Sequence, residues 1–524
     1  NTGNPFEFNY KRYLSIHRIH YQTYISRTNY KITKAYGNIS ILAHANRVRM
    51  NLIEQLKASG VQKQQLAICS ALTLGYKDLL NRKTRANFTN AGVIHVLAVS
   101  GLHVGLIFIL CNASLFFLER NTLARIFKTL LIIVILCGYA LLTGLSPSVT
   151  RATLMFGIIA IGKITQQKSS VYNSLACSAF LMLLSNPFIL FSLGFQLSYS
   201  AVLSIVFFQP KIYQWFSFSR TPDKLWQLLS VALAAQIGTA PLVIHYFHQF
   251  PNYFWISNFV AIPAATIIIN SGVIIFITHS IISPFSEYIG VALNWFTEKL
   301  NSFLHLIQEL PYSVTADLHL ESLEVYLAYV IISLFTLFLL KRQAKVFIFT
   351  LLFLNIHIGF NVTKSIQNKQ NSEFIVYNIR EHSVYNYIEG KNNLLLTGKK
   401  SPDHQTLLFS AKNLWLKRNL DDPIKTRLQN TNQLQKFKNI WRTEHFLYIR
   451  GIRICRIPNG NWKRYTAHKK LAVDYLILSN DADIPLQKLE QAFHFKKVII
   501  DPSNSYYKAK EWIKYFKQHN IPYH

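Results

Sequence analysis

From about residue 90 to residue 360 the chain is built of apolar runs long enough to cross a bilayer, which takes about 20 residues of helix. They lie near Gly92–Leu118, Leu123–Leu142, "SVTRATLMFGIIAIGKI", Ser174–Leu184, Phe188–Phe208, Leu225–Phe247, Phe254–Thr278, a weaker Ile289–Ile307, Leu323–Leu340 and Val346–Phe360. The pattern predicts about nine or ten membrane-spanning helices. Pro187, Pro241 and Pro263 fall in or beside these runs, so some are expected to be broken or re-entrant.

Outside this region the periodicity changes. Residues 1–36 alternate, as in "RIHYQTYIS", and predict one or two strands from the end of a small β domain. In 37–62, Leu42, Ala45, Val48, Leu52 and Leu56 keep helical spacing while Arg47, Arg49 and Lys57 lie off that stripe. This predicts an amphipathic helix, either at the membrane interface or packed against the protein. Residues 63–360 form the membrane domain. After Phe360, "EFIVYNI", "NNLLLTG", "HFLYIRGIRICRI", "VDYLILSN" and "KKVIID" are short β-rich runs between polar turns, and "YYKAKEWIKYFKQHN" reads as a closing helix. The fold class is therefore a polytopic α-helical membrane protein with a C-terminal soluble α/β domain over 361–524.

Composition agrees and adds a partner class. Of 524 residues, 50% are hydrophobic and 15% charged, yet the formal net charge is +31. Such a balance favours an anionic partner, nucleic acid or acidic lipid. Residues 361–524 carry 28 Lys and Arg against 13 Asp and Glu, about half of the total excess. Basic loops follow from the positive-inside bias; a basic domain of this length does not. Basic residues flank the spans on both sides, so the count assigns no orientation. The five cysteines (Cys69, Cys111, Cys137, Cys177 and Cys455) include no CxxC, which argues against a disulfide framework or a zinc ribbon. No basic stretch followed by a short apolar one opens the chain, so no signal peptide is expected in it.

The apolar runs carry polar groups that lipid contact alone would exclude. "AGVIHVLAVSGLHVGLIFIL" contains His95, Ser100, Gly101 and His103. The two histidines share one broad helical stripe, and the serine and glycines permit close helix approach or a locally unwound backbone. Either they pack between helices or they face a wet path. Arg151 lies within an apolar segment, where a central Arg costs about 3 kcal/mol; it either acts there or snorkels to the interface. Gln196, Ser198, Tyr199, Ser200, Gln236, Thr239 and Asn258 continue the decoration on later spans. Between Gly92 and Pro284 the only acids are Glu119 and Asp223. A cation-coupled carrier normally needs intramembrane carboxylates, so this interior suits an anion better.

Two tempting motifs fail. "GIIAIGKIT" has P-loop glycine spacing, but Ile164 follows Lys163 and the stretch is apolar. No motor is expected in this chain. His245 and His248 in "HYFH" are better read as interfacial histidines than as a metal pair.

In order, "HVLAVSGLHVGL", "PSVTRATLM", "NPFILFSLGFQLSYSAV" and "QIGTAPLVIHYFHQFPNYFWISNFVAIP" resemble the ComEC family, inner-membrane channel proteins of bacterial natural competence. The likeness covers roughly residues 65–280, and "NPFEFNYKRYL" resembles the tail of that family's OB-like domain. It implies a multi-pass protein of the bacterial inner membrane that passes single-stranded DNA from periplasm to cytoplasm. Its partners would be the DNA, the bilayer, a cytoplasmic motor and a periplasmic DNA receptor. His95, Ser100, Gly101 and His103 match the channel signature; Pro147, Arg151, Gln196, Asn258 and Pro263 match later motifs. With Ser200 and Gln236, His95, Ser100, Gly101, His103, Arg151, Gln196 and Asn258 are the channel-lining candidates. No catalytic residue is assigned.

The C-terminal domain resembles the family's metallo-β-lactamase-like domain in degenerate form. The metal loop, usually HxDxDH, aligns with "SNDADIPL": Asn480 and Ile484 stand where histidines belong, and Asp481 and Asp483 alone make a poor binuclear site. The expectation is a domain with no metal, no cofactor and no enzymatic activity. Its basic and aromatic run predicts strand binding by Lys436, Lys438, Trp441, Arg442, Arg450, Arg453, Lys463 and Arg464, or else a solvated face. The rival functions are a membrane-tethered metal-dependent hydrolase or nuclease and a small-anion carrier.

Overall fold

The computed structural model describes residues 3–23, 25–26, 30, 40–119, 121–164, 170–428, 439–460, 462 and 469–524. The chain forms two compact units, one of Ile16–Val325 and one joining Asn1–Ser15 to Tyr326–His524.

Helices follow in the order α1 (Tyr10–Ile16), α2 (Ile41–Ala58), α3 (Lys63–Leu74), α4 (Arg82–Asn90), α5 (Ile94–Leu97), α6 (Gly101–Ser114), α7 (Thr122–Leu142), α8 (Pro147–Ile164), α9 (Val171–Ser185), α10 (Leu193–Tyr213), α11 (Arg220–Phe247), α12 (Phe254–Thr278), α13 (Ser283–Glu309), α14 (Ser322–Lys341) and α15 (Ala344–Gln370). A short antiparallel pair, β1 (Phe250–Pro251) and β2 (Val314–Thr315), joins the ends of two of the loops. In the helical unit one core gathers Leu56, Ile68, Leu72, Phe88, Ile268 and Leu300 from α2, α3, α4, α12 and α13. A second holds Val104, Phe108, Leu136 and Ala152 from α6, α7 and α8. Helices cross where a side chain is missing: a Cβ on Gly238 would lie 2.4 Å from Ser204 Cβ, and one on Gly290 only 1.6 Å from Ser59 O.

Among the described residues, six helices are long and apolar enough to cross a membrane: α7, α10, α11, α12, α14 and α15. The nine or ten predicted from sequence included runs that fold differently. The Gly92–Leu118 run breaks at extended Ala98 and Ser100, leaving α6 only 14 residues long. The weak Ile289–Ile307 run belongs to α13, which is amphipathic, with buried Leu293, Leu300 and Leu304 set against exposed Glu287, Glu298 and Lys299. Helix α2 shows the expected stripe in part, burying Ala45, Ile53 and Leu56 while Ile41 and Leu42 face outward.

The strands expected in 1–36 are not observed among its described residues; Tyr10–Ile16 is helical instead. The extended start of the chain joins the C-terminal unit: Asn4 Nδ2 donates to Asn378 O (3.1 Å), Asn378 N donates to Asn4 Oδ1 (2.7 Å), and Asn413 Nδ2 donates to Phe6 O (3.1 Å). Two segments bonded together are expected on one face of a bilayer, with an even number of spans between them. With the native cysteines replaced, Phe8→Cys and Tyr507→Cys are expected to react with an impermeant maleimide from the same side. Labelling from opposite sides contradicts the contact.

The rest of this unit has four layers. One sheet, in the order β3 (Ser372–Val376), β4 (Val384–Glu389), β5 (Asn392–Thr397), β6 (Ile424–Arg427), faces a second. The second runs β13 (Lys497–Ile500), β11 (Tyr475–Leu478), β9 (Ile452–Ile457), β8 (Phe446–Ile449), β7 (Ile440–Arg442). β10 (Leu471–Ala472) and β12 (Phe493–His494) pair separately. Strand alternation sends Tyr385, Tyr387, Leu394 and Leu396 inward against Leu447, Ile449, Ile454 and Ile477. The intervening Val384, Ile388 and Leu395 pack under α16 (His404–Arg418). Outside the second sheet, α17 (Leu486–Ala492) and α18 (Tyr506–Gln518) cover Cys455, Leu476 and Leu478. Burial pushes the Cys455 thiol up to about 12, so it stays a protonated core group.

Candidate nucleic-acid interface

In the helical unit, the break before α6 places Ser100 at the N-cap and His103 at N3. Ser100 N donates to His103 Nδ1 (3.1 Å), and Ser100 Oγ lies 2.8 Å from the same nitrogen. His103 is fully buried, and its Nε2 has no hydrogen-bond partner among the described residues. Gly101 opens the helix with no side chain, and Arg151 of α8 fills the space: Nη2 sits 3.0 Å from where a Gly101 Cβ would be. Arg151 is buried, and its Cζ lies 5.7 Å from the centroid of Tyr199 on α10. Tyr199 is held in turn by a hydrogen bond between its hydroxyl and that of Ser178 (2.9 Å). Arg151, from a later helix, thus joins Ser100, Gly101 and His103 in one cluster.

The remaining candidates divide. Gln196 Oε1 accepts from Tyr246 (2.8 Å) and its Nε2 donates to Leu190 O (3.1 Å), tying α10 to α11. Ser200 Oγ donates to Leu197 O within its own helix (3.2 Å), and its carbonyl lies against Gly238. Gln236 is half-buried on α11. Asn258 is buried on α12, with its Oδ1 unpartnered. His95 is exposed. Both acids of this stretch are engaged: Glu119 with Lys128 (2.6 Å), and Asp223 as acceptor from Tyr213 (2.7 Å).

In the C-terminal unit the antiparallel strands β7, β8 and β9 bring three side chains into a row. Trp441 pairs with Tyr448, and Tyr448 with Arg453. Residues directly opposite on one face stand about 5 Å apart. Inward alternation of Ile440, Leu447 and Ile454 turns this row outward, and α17 and α18 leave it open. Trp441 is 62% exposed and Tyr448 47%. Arg453 reaches Asp474 (3.6 Å), whose carboxyl is held below its usual range by the Arg453 amide first and then by Lys496. Arg450 lies 3.3 Å from Glu389 at the end of the same hairpin.

Arg442 does not belong to this surface. It is 5% exposed and donates to Arg427 O (3.3 Å) and Thr426 Oγ1 (3.2 Å), joining β7 to β6. Alternation explains the difference, since Arg442 is one residue out of phase with Trp441. Tyr448 was missed from sequence, although its period-2 place in "HFLYIRG", flanked by buried Leu447 and Ile449, is the signal that finds it. Lys436, Lys438, Lys463 and Arg464 lie outside the described residues.

The loop aligned with a metal site is engaged in hydrogen bonding. Asn480 and Asp481 take left-handed backbone, with φ of 52° at each. Asn480 N donates to Ser503 Oγ (2.8 Å), Asp481 N donates to Asn504 Oδ1 (2.8 Å), and Asp481 Oδ1 accepts from Ser505 N (2.7 Å) at the start of α18. Ile484 is buried in the core with Leu489, Trp512 and Phe516. Asp501, 1% exposed, accepts from Tyr385 and from Ser503 N. Among the described residues no group of three or more His, Cys, Asp or Glu is placed to hold a metal ion. These residues do not fit a binuclear centre.

Residues 72–345 match the family described as Competence protein, and residues 374–524 match the ComEC C-terminal domain. ComE operon protein 3 of Bacillus subtilis is 30% identical over 274 residues, 52% of this chain and 33% of that protein. An uncharacterized protein of Aquifex aeolicus is 31% identical over 204 residues, 38% of this chain and 46% of its own. Recombination protein 2 of Haemophilus influenzae is 23% identical over 234 residues, 42% and 29% respectively. The chain thus spans less than half the length of each of these relatives. No solved structure matches it. Two adjoining family matches in order, with six helices fit to cross a membrane among the described residues, make this a multi-pass inner-membrane protein that belongs to the ComEC family.

Proposed function

We propose that the chain forms a channel through which single-stranded DNA crosses the bacterial inner membrane during natural transformation. The observation that carries this reading is the charge of the helical unit's interior. Its two acids from Gly92 to Pro284 are engaged at Lys128 and Tyr213, while Arg151 is buried with no ion pair among the described residues. A path of this kind welcomes phosphate and repels no part of a polyanion. Family membership supports the same reading. The channel-lining set is Ser100, Gly101, His103, Arg151 and Asn258 at its centre, with His95, Gln196, Ser200 and Gln236 along the remaining spans. Shorter apolar helices α6 and α9 complete the membrane domain beside the six long ones.

The C-terminal unit is a metallo-β-lactamase-like sandwich that holds DNA by charge and stacking and hydrolyses nothing. The engaged Asp481 and buried Ile484 support this against a metal-dependent hydrolase. A motor on the cytoplasmic side supplies the energy, and a receptor on the other delivers the strand. A host strain lacking the chain is expected to capture DNA at its surface but yield no transformants. Transformation at the parental frequency contradicts the proposal.

A further inference from the structure

We propose that Arg151 and the first turn of α6 hold one phosphate group between them. The guanidinium is 5% exposed, yet among the described residues it donates to no protein acceptor, and its Nε is shut off from solvent. The face of Tyr199 attracts a cation but satisfies none of five N–H donors. Nη2 lies instead against Gly101, at the positive end of a 14-residue helix. Two positive ends in contact repel each other, and an anion bound by both offsets that repulsion.

The donors around that point are left open. Ser100 and His103 cap each other, which occupies the N–H groups of both. The Gly101 and Leu102 N–H groups meet no acceptor among the described residues. Because His103 Nδ1 accepts from Ser100 N, the neutral ring carries its proton on Nε2, which is buried and unpartnered. Unpartnered donors lie on Arg151, His103 and the first turn of α6, and a buried unmatched charge is costly. A tetrahedral oxyanion answers both demands: it takes the guanidinium fork on two oxygens and helix amides on another. The site stands on this geometry alone; identifying its occupant with a DNA phosphodiester rests on the channel reading above.

The test uses the full chain in a phosphate-free maltoside, titrated with inorganic phosphate at constant ionic strength against chloride, with the thermal unfolding midpoint as readout. Phosphate is expected to raise the midpoint by several degrees where chloride does not, since a ligand of the folded state stabilises it. Arg151→Gln should fold at least as well without phosphate and show at least tenfold weaker response. Gly101→Val keeps the charge but fills its space, and should lose the response too; it carries the test should Arg151→Gln not fold. An unresponsive wild type, or an equal response in both variants, overturns the site. Competition by oligothymidylate identifies a phosphodiester occupant, and competition by phosphatidylglycerol alone identifies a lipid headgroup. Phosphate binding that oligothymidylate leaves untouched upholds the site and sinks its link to DNA.

Discussion

A strain whose chain carries Arg151→Ala is expected to accumulate the protein normally and to transform roughly 10- to 100-fold less often than the parent. The magnitude is that of one charge-assisted hydrogen bond, about 1.5–3 kcal/mol, withdrawn from a passing phosphate. Normal accumulation follows because the guanidinium has no hydrogen-bond acceptor among the described residues to strand. Removing one member of an ion pair would leave a buried orphan charge; removing Arg151 leaves only space beside Gly101 and Tyr199. His103→Ala should act in the same direction with some loss of protein, since it also uncaps Ser100 N. The checks are transformant counts alongside immunoblots. A parental frequency in Arg151→Ala would remove Arg151 from the path.

The second large effect is expected in the soluble unit. Base–aromatic stacking is worth about 1–3 kcal/mol per base, so Trp441→Ala and Tyr448→Ala should each weaken binding of a single-stranded oligonucleotide by about tenfold. Both residues face outward, so the sandwich core of Tyr385, Leu396 and Ile477 is untouched. Arg453→Ala and Arg450→Ala should instead flatten the salt dependence, each by about one phosphate contact. Arg442→Ala should lower stability without a specific change in that slope, because its guanidinium bonds Arg427 O and Thr426 Oγ1. Fluorescence anisotropy of labelled oligothymidylate across a salt series separates the three classes. Unchanged affinity in the Trp441→Ala, Tyr448→Ala double variant would make this row an ordinary solvated face.

The hydrophobic pattern was enough to recognise a membrane domain followed by a β-rich soluble one, because bilayer length and strand alternation leave direct periodic traces. Span number was less legible. Extended backbone at Ser100 and the amphipathic face of α13 are local decisions made by tertiary neighbours, and a sum of hydropathy does not register them. Alternation in residues 1–36 suggested strands, but the described part docks on Asn378 and forms the short helix α1. Motif spacing marked Ser100, Gly101, His103 and Arg151, while their convergence needed the fold: α6 and α8 meet because Gly101 has no side chain. Arg442 was misread because composition counts charge without phase, and phase alone separates it from Trp441. Asn480 and Ile484 were informative in sequence, since losing a ligand changes chemistry whatever the fold does.

DNA in transit is expected to pass the polar side chains buried in the helical unit, His103, Arg151 and Asn258 among them. A photoreactive amino acid in place of the buried Asn258 on α12 can be compared with one in place of Val134, which is 66% exposed on the apolar face of α7. During uptake of labelled DNA, illumination is predicted to crosslink the strand at 258 and to give no DNA adduct at 134. DNA adducts at neither position, or equally at both, while transformation proceeds would contradict passage through this interior.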